Sequence, residues 1–366
     1  MPAEMFRSGD FIPDFTAAST VNERFNFGTL AGNRVLLCVI GSDEPAMRVM
    51  AAVARLRRLC RERGALLLFL SDAADPDRRE AMASLAGGAV VLWSDESIAT
   101  RLRLAQHGCG TFLLDRNLQV IAFVPADGTD PNVEALTRLL GALPVPPRPQ
   151  MMTSSAPILL VPNAFDQSLC RRLIDHYEAV GGRRSGFMRQ IDGRTVGVQD
   201  DGFKRRSDVH ITDEALRLEI RRSLVSRVLP QIEKAFAFRA TRIERYVVAC
   251  YDGVEAGRFR AHRDNTTAGT AHRQFAISLN LNAEEYQGGQ LRFAEHSHDL
   301  FRPASGTACV FSCSLLHEAM PVESGRRFAF LTFVYDDRRA QVRNNNRHLV
   351  ARRRVEAPTD EAAETE

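Results

Sequence analysis

Lysine is almost absent from this sequence. Of its 48 basic residues only Lys204 and Lys234 are lysines, and the formal net charge is +3. Because no basic face is evident, this charge balance does not favour nucleic-acid binding. No run approaches the roughly 20 apolar residues that a membrane-spanning helix needs, and the first residues lack the apolar core of a secretory signal. We therefore expect a globular protein that binds neither nucleic acid nor membrane.

The sequence also lacks a Cys-x-x-Cys pair. Its seven cysteines form an odd, scattered set: Cys38, Cys60, Cys109, Cys170, Cys250, Cys309 and Cys313. Such a set favours neither a disulfide framework nor a dithiol redox centre. We expect a reduced, cytoplasmic protein in which most thiols pack as small apolar groups.

The 366-residue length predicts two domains, because a single core rarely grows so large. Four prolines between Pro144 and Pro149 indicate a stiff, extended linker. We therefore divide the chain into a first domain, a proline-rich linker, a second domain and a charged tail that we predict to be disordered. Their predicted boundaries are 1–142, 143–155, 156–340 and 341–366.

The first domain alternates strand and helix patterns. Continuous apolar runs at Val35–Ile40, Leu66–Leu70 and Ala89–Leu92 predict strands buried on both faces, and residues 111–123 predict a hairpin. This order indicates an α/β layer fold. With the opening string Gly-Asp-Phe-Ile-Pro-Asp-Phe at 9–15, it resembles the peroxiredoxin branch of the thioredoxin fold over roughly residues 5–140.

The resemblance does not extend to the catalytic cysteine of peroxiredoxins. Peroxiredoxins place a nucleophilic cysteine in the first turn of the helix after the first buried strand, whereas residues 41–48 here contain none. Cys38 lies inside the preceding strand, where burial would raise the pKa of its thiol. We therefore expect an α/β thioredoxin-like domain without peroxidase activity, which scaffolds, forms a homodimer or presents substrate.

The second domain begins with helices and continues as strands, which indicates an α+β fold. Asp166 can cap a helix over Gln167–Val180, and a longer helix is predicted over Thr212–Phe238. Several short segments separated by turn signals then predict a β-sandwich or barrel. These predicted strands cover 243–251, 274–282, 290–293, 307–312 and 327–335.

Two histidines and a carboxylate form the main candidate site. His262 and Asp264 are two residues apart, so on a strand both side chains would point to one face. His317 follows on a distant predicted strand. Two histidines and one carboxylate are the ligand set of non-haem Fe(II) enzymes that use O₂. Taken alone, the tripeptide at 262–264 is a weak signal, and a solvated loop would be the favoured interpretation.

The residues after His317 add a second signal. Arg326 and Arg327 begin the next predicted strand, where a guanidinium could bind a carboxylate through two hydrogen bonds. Tyr251 ends a strand eleven residues before His262, and its hydroxyl could donate to the same ligand. Gly288 and Gly289 permit a tight turn into the sheet.

These strings occur together and in order, and the region 156–337 resembles 2-oxoglutarate/Fe(II)-dependent dioxygenases of the prolyl 4-hydroxylase type. The matching strings are Val248–Tyr251, His262–Asn265, Ser278–Asn282, Gly288–Phe293, Gly306–Phe311 and His317–Arg327. The resemblance implies a double-stranded β-helix, or jelly roll. It also implies Fe(II), with 2-oxoglutarate and O₂ as co-substrates and ascorbate as a further cofactor.

The resemblance also implies roles for individual residues. His262, Asp264 and His317 would bind the iron. Arg327 would bind the distal carboxylate of 2-oxoglutarate, with Arg326 as the alternative. The remaining positions that would line the co-substrate pocket are Tyr251 and Asn280, the second at a place where the family often has a tyrosine.

The implied reaction is a hydroxylation with release of succinate and CO₂. Related halogenases replace the iron-binding carboxylate with a small residue, so Asp264 favours hydroxylation. The substrate would be a protein side chain of the prolyl type or a small molecule. The competing hypothesis is a thiol redox or interaction protein whose jelly roll is a non-catalytic binding module.

Other polar residues near these strings have less specific interpretations. We expect His272 to lie in a surface loop, although Arg273 beside it could reach a substrate anion. His296 and His298 are interpreted as a hairpin loop rather than a second metal site. The basic run 204–206 could steer an acidic substrate, but a solvated loop is the favoured interpretation.

Overall fold

The chain forms two compact units, Met1–Gln150 and Met151–Glu366. The division falls within the predicted proline-rich linker. No described helix is both long enough and apolar enough to cross a membrane. The fold comes from a computed structural model, which describes residues 6–41, 44–104, 108–126, 131–146, 151 and 153–356.

The first unit is built on one twisted sheet with helices between its strands. The strands are β1 (Thr16–Ser19), β2 (Phe25–Asn26), β3 (Arg34–Ile40), β4 (Ala65–Ser71), β5 (Val90–Trp93), β6 (Gly110–Leu114) and β7 (Val120–Pro125). The helices are α1 (Glu44–Ala54), α2 (Arg57–Glu62), α3 (Pro76–Leu85), α4 (Glu96–Arg101) and α5 (Val133–Ala142), with a 3₁₀ turn at Phe27–Leu30.

The strand order in this sheet is β2-β1-β5-β4-β3-β6-β7. Strands β3, β4 and β5 run parallel, as helical crossovers require, whereas β6 and β7 form an antiparallel hairpin. Alternate residues of β3 enter separate apolar clusters on the two faces of the sheet, which explains its continuous apolar run. This topology confirms the predicted α/β thioredoxin-like fold.

The cysteines of the chain are free, and all but Cys109 are buried. Cys38 lies on β3 with 1% of its surface exposed, and burial raises the pKa of its thiol to about 12. A thiol so protonated is a poor nucleophile at neutral pH. Burial likewise raises the pKa of the Cys60 thiol to about 11, so neither of these two buried thiols of the first unit is activated.

We predict that the native protein presents one rapidly reacting thiol, that of Cys109, because the other six are buried. Titration with a thiol-specific disulfide reagent should give about one fast equivalent per chain, and Cys109→Ser should remove it. Mapping of the labelled peptides provides the check. Rapid labelling of Cys38 in the folded protein would contradict the prediction.

The second unit combines two facing sheets with helices. Its first strands are β8 (Ile158–Val161), β9 (Arg183–Arg184), β10 (Phe187–Ile191), β11 (Arg194–Gln199), β12 (Lys204–Arg205), β13 (Ser207–His210), β14 (Arg242–Ile243), β15 (Val247–Asp252) and β16 (Arg258–His262). The later strands are β17 (Phe275–Asn280), β18 (Gln287–Gly288), β19 (Leu291–Arg292), β20 (Leu300–Phe301), β21 (Ala308–Ser312), β22 (His317–Ala319), β23 (Val322–Ser324), β24 (Arg326–Tyr335) and β25 (Val350–Glu356).

The larger sheet has the order β8-β21-β17-β24-β15-β13-β9, and the smaller one β12-β16-β22-β19-β20. Alternation along β15 shows how they are arranged. Val248 and Cys250 join a cluster with the helices, whereas Ala249 and Tyr251 join a cluster with residues of the smaller sheet, such as Phe259. This double layer confirms the predicted double-stranded β-helix, and the space between its sheets contains the candidate site.

Helices cover the outer face of the larger sheet. They are α6 (Gln167–Val180), α7 (Glu214–Ser223) and α8 (Leu229–Phe236), with a π turn at Leu224–Val228. A further helix, α9 (Asp337–Asn345), follows β24 and has no buried residue, and a 3₁₀ turn lies at Arg347–Leu349. Helix α6 has the predicted bounds, and Asp166 caps it by accepting from the Leu169 amide at 2.8 Å. The π turn divides the second predicted helix just before Pro230, where proline cannot supply a regular helical hydrogen bond.

The predicted disorder of the tail is wrong for residues 341–356. Helix α9 extends to Asn345, and β25 pairs in parallel with β11, beginning at Thr195 opposite Val350. The β10–β11 hairpin leaves one edge of β11 unpaired, so the chain end can satisfy the backbone groups there. The prediction of disorder rested on the charged composition of this segment, which gives no sign of strand pairing. The acidic end of the predicted tail, 357–366, lies outside the described residues.

We predict that Gly306→Ala destabilises the second unit more than Gly193→Ala. Both glycines have positive φ, 77° and 74°, which costs an alanine about 1 kcal/mol. A Cβ at Gly306 would also lie 2.2 Å from the carbonyl oxygen of Phe165, whereas a Cβ at Gly193 meets nothing within 4 Å. Denaturant unfolding should show roughly 3 kcal/mol or more for the first variant. Equal losses for both would contradict the packing argument.

Candidate metal centre

The two candidate histidines face each other across a strand pair. His262 ends β16 and lies opposite His317, the first residue of β22, with ring centroids 4.3 Å apart. Nδ1 of His262 lies 2.8 Å from the carbonyl oxygen of Arg260, and Nδ1 of His317 lies 3.0 Å from that of Leu315. If each Nδ1 carries the proton and donates it to this carbonyl, both Nε2 lone pairs are free to bind a metal.

The structure places Asp264 in the loop after β16, not on the strand as predicted. Its amide donates to the carbonyl of Cys313 at 2.9 Å, which ties the loop to the segment that precedes His317. Arg263 turns the other way and pairs with Glu295, whose carboxylate also accepts from the Leu316 amide. A backbone tether and an ion pair, rather than strand alternation, therefore direct the Asp264 carboxylate towards the histidines.

The ligand atoms of this triad converge on one point. Nε2 of His262 lies 3.6 Å from Oδ1 of Asp264, and Nε2 of His317 lies 3.4 Å from Oδ2. One ligand atom from each residue lies within 4.8 Å of the others. Among the described residues no other group of three or more histidine, cysteine, aspartate or glutamate side chains is placed to hold a metal.

The charge states of the triad suit a divalent cation. Burial lowers the pKa of His317 to about 4, so its imidazole is neutral. Burial opposes ionisation of Asp264, but His317, His262 and Arg273 hold the pKa of its carboxyl well below its usual range. Two imidazoles and one carboxylate on a single side match the donor set for Fe(II), so the residues fit the ion that the sequence predicts.

A buried arginine lines the same cavity, which has a volume of about 510 Å³. Arg327 is 2% exposed; its Nε donates to Oδ1 of Asn280 at 3.3 Å and its Nη2 to Oγ of Ser278 at 3.4 Å. Its Nη1 is buried and has no hydrogen-bond partner among the described residues. The Tyr251 ring lies 5.0 Å from the guanidinium. A cation with an unused donor beside the triad fits the distal carboxylate of 2-oxoglutarate.

The neighbours of Arg327 have different positions. Arg326 points away from the cavity and pairs with Glu178 at 2.6 Å, as alternation along β24 requires. Asn280 does not line the cavity; its amide donates to the carbonyl of Pro303 at 2.8 Å and its oxygen accepts from Arg327. Asn280 therefore positions the arginine rather than contacting a ligand. Gly289 leaves room for the Arg327 side chain, because a Cβ at Gly289 would lie 3.1 Å from the Cδ of Arg327.

The basic run at 204–206 is not a solvated loop, contrary to the favoured interpretation. Lys204 and Arg206 are each 5% exposed and line the cavity. Arg206 binds Asp208 through two hydrogen bonds of 2.7 Å, and its Nη1 donates to the Tyr251 hydroxyl at 3.3 Å. Nζ of Lys204 donates to the carbonyl of Gly186 at 2.6 Å. Because the Tyr251 hydroxyl accepts the hydrogen bond from Arg206, its own proton remains available for donation to a ligand.

The interpretation of His272 as a surface residue is also wrong. It is 2% exposed, and its Nε2 lies 3.0 Å from Oε2 of Glu244. Arg273 uses the same carboxylate, with hydrogen bonds of 2.8 and 2.6 Å, and is therefore committed to Glu244 rather than to a ligand anion. Its remaining Nη1 lies 3.4 Å from the carbonyl oxygen of Asp264, which links this ion pair to the metal centre.

Sequence reasoning missed several residues of the cavity wall. Lys204, Arg206 and Asp208 are spaced two apart, so strand alternation could have placed them together on one inward face. Glu244 and Arg245 had no such signal, because they lie in the short connection between β14 and β15. His296 and His298 lie in the segment between β19 and β20, in agreement with the loop interpretation.

Comparison with known proteins places the site in a family context. Residues 246–335 match the model of the 2OG-Fe(II) oxygenase superfamily. Procollagen-lysine,2-oxoglutarate 5-dioxygenase 1 of Mus musculus is 26% identical over 178 residues, which are 46% of this chain and 23% of that protein. The chain thus spans about a quarter of the length of this curated relative.

Two solved structures illustrate the likeness of each unit. A Trichoplax adhaerens prolyl hydroxylase, solved with a hypoxia inducible factor peptide, is 18% identical and covers 50% of this chain and 86% of its own, with a TM-score of 0.40. The thioredoxin domain of a Bacteroides vulgatus thiol-disulfide oxidoreductase is 12% identical and covers 36% and 99%, with a TM-score of 0.30. The segment that matches the family model spans the triad and Arg327.

Proposed function

We propose that the second unit is an Fe(II)- and 2-oxoglutarate-dependent dioxygenase that hydroxylates its substrate. The observation that carries this proposal is the convergence of His262, Asp264 and His317 in the cavity that also holds the buried Arg327. Iron and 2-oxoglutarate, when bound, supply a reaction in which O₂ oxidises both a substrate C–H bond and 2-oxoglutarate, giving alcohol, succinate and CO₂. Nε2 of both histidines and one carboxylate oxygen of Asp264 would hold the iron.

The residues around the triad would bind 2-oxoglutarate and orient the metal ligands. Arg327 would bind the distal carboxylate of 2-oxoglutarate through its free Nη1, with the Tyr251 hydroxyl as a second donor. Phe259 stacks on His262 with centroids 3.5 Å apart, and Phe311 lies 4.5 Å from His317. These rings hold the imidazoles in place and exclude water from one side of the ligand set.

Several parts of this proposal rest on the sequence or on the relatives. Asp264 occupies a coordination position that a halogenase would leave open, which favours hydroxylation. The relatives named as procollagen-lysine and prolyl hydroxylases suggest a protein side chain as substrate, with a small molecule as the alternative. The scattered free cysteines suggest a cytoplasmic protein. Ascorbate would serve as a reductant for the iron, and the thioredoxin-like unit would scaffold, form a homodimer or present substrate.

We predict that His317→Ala abolishes metal-dependent succinate release, because it removes one of three ligands. Calorimetric titration with Mn²⁺ under nitrogen should show an affinity loss beyond the roughly 10- to 100-fold typical of residues that only support a ligand. Circular dichroism should show a folded protein. His296→Ala is the matched control and should leave both values unchanged. Unaltered turnover in folded His317→Ala protein would refute the proposed iron site.

We predict that Arg327→Met raises the KM for 2-oxoglutarate by about 100-fold, because a buried charge-assisted contact is lost. Mn²⁺ affinity should change little, since Arg327 is not a metal ligand. Arg326→Met is the control: it removes the same charge one residue away on the exposed face, and its KM should match the wild type. A larger effect at Arg326 than at Arg327 would reverse the assignment.

A further inference from the structure

Five arginines besides Arg327 line the cavity: Arg189, Arg206, Arg245, Arg263 and Arg273. Of these, Arg189 is exposed and Arg263 pairs with Glu295. Arg206 is paired with Asp208 and Arg273 with Glu244, each through two hydrogen bonds. Arg245 has no hydrogen bond or ion pair with any described residue, and its Nε is buried without a partner. Its guanidinium contacts only an aromatic face, that of Phe333 at 4.6 Å.

This arrangement leaves Arg245 charged and poorly compensated. Burial, together with the neighbouring Arg273 and Arg206, lowers the pKa of Arg245 to about 10, so the guanidinium stays protonated at neutral pH. Arg245 is half-buried, and although Glu244 and Asp208 raise its pKa through space, no carboxylate is paired with it directly. Natural sites usually give such a cation a counter-ion. The neighbouring arginines, Arg206 and Arg273, are each paired with a carboxylate. Arg245 is the exception, and it faces the cavity.

The charges of the whole site show the same deficit. The exposed Arg189 and the Arg263–Glu295 pair are left out of the count. The remaining cations that line the site are Lys204, Arg206, Arg245, Arg273 and Arg327, and the carboxylates that line it or pair with these cations are Asp208, Glu244 and Asp264. Fe(II) and the 2-oxoglutarate dianion cancel one another. An excess of two positive charges therefore remains, or of one if Lys204 is neutral, and burial lowers the pKa of that lysine well below its usual range. At least one negative charge is missing from the loaded site.

The missing anion would lie close to the reaction centre. Arg245 and Arg273 both pack on the Phe333 ring, at 4.6 and 4.0 Å, and Arg273 reaches the carbonyl of Asp264 at 3.4 Å. Arg327 takes the distal carboxylate of 2-oxoglutarate, so Arg245 is available to a second ligand. A cavity of about 510 Å³ accommodates a small molecule beside the co-substrate.

We propose that Arg245 binds a carboxylate of the prime substrate, which is therefore a small carboxylic acid rather than a neutral peptide segment. This inference rests on the proposed dioxygenase function and names the substrate class of the same site. The guanidinium binds one carboxylate through two parallel hydrogen bonds and so holds the adjacent carbon chain in the chamber of the metal. Arg245 is a substrate-binding residue and has no role in holding iron or 2-oxoglutarate.

The test uses the full chain loaded with Mn²⁺ and 2-oxoglutarate under nitrogen, so that no turnover occurs. Thermal unfolding is followed with propionate, with the neutral isostere propionamide and with inorganic phosphate, at equal concentration and ionic strength. We expect propionate to raise the Tm of the Mn²⁺-sensitive transition by about 3 °C, and the other two probes to have little effect. Equal effects of propionate and propionamide, a larger effect of phosphate, or no effect of propionate would each overturn the proposal.

Variants assign the effect to one side chain. Arg245→Met should abolish the propionate shift and raise the Tm without probe, because it removes a half-buried charge that has no direct ion-pair partner. Arg245→Lys should retain part of the shift. Arg189→Met removes an exposed arginine on β10 at the cavity edge and should keep the full shift. A full shift in Arg245→Met would overturn the proposal.

The same samples distinguish a failure of the proposed dioxygenase function from a failure of the substrate inference. Calorimetric titration of 2-oxoglutarate should give equal affinities for the wild type and Arg245→Met, and a weaker one for Arg327→Met. If Mn²⁺ and 2-oxoglutarate bind to none of these proteins, the dioxygenase assignment fails, whatever propionate does. If they bind normally and propionate acts without Arg245, only the substrate inference fails.

Discussion

The geometry of the triad depends on the pairing register of β16 with β22. That register places His262 directly opposite His317, so two ligands from distant parts of the chain lie side by side without any loop holding them. A slip of one residue would turn either histidine to the other face of the sheet. The third ligand follows from the same pairing, because the Asp264 amide bonds to Cys313, just before β22 begins.

The second constraint is the cost of burying charge between the two sheets. The proposed 2-oxoglutarate site uses one arginine, and a further buried cation is costly unless a carboxylate pairs with it. Asp208 and Glu244 supply that carboxylate for Arg206 and Arg273. Both pairs also fix neighbours: Arg206 holds the Tyr251 hydroxyl, and Arg273 reaches the carbonyl of Asp264. Ion pairs that look merely structural therefore orient the residues that would contact iron and 2-oxoglutarate.

Local signals in the sequence predicted much of the fold. The apolar run of β3 and the capped helix after Asp166 lie where they were expected, because each depends on neighbouring residues only. The three candidate ligands converge in the structure, and the sequence singled them out because they occur in order with the strings that surround them. The run at 204–206 and His272 were misplaced because polarity was equated with exposure. In this jelly roll the inner faces of strands surround a polar cavity, so alternation correctly indicates a shared face but not whether that face meets solvent.

The unpaired state of Arg245 could not be predicted from the sequence at all. The acidic Glu244 precedes it directly, and sequence proximity would suggest a partner. In the folded structure Glu244 instead pairs with His272 and Arg273, which lie almost thirty residues further along the chain. Only the assembled sheets show which cation lacks a carboxylate. The positions of charged groups within a site are set by long-range pairing, whereas their number is set by the sequence. The substrate preference of this domain therefore depends on the pairing more than on any motif.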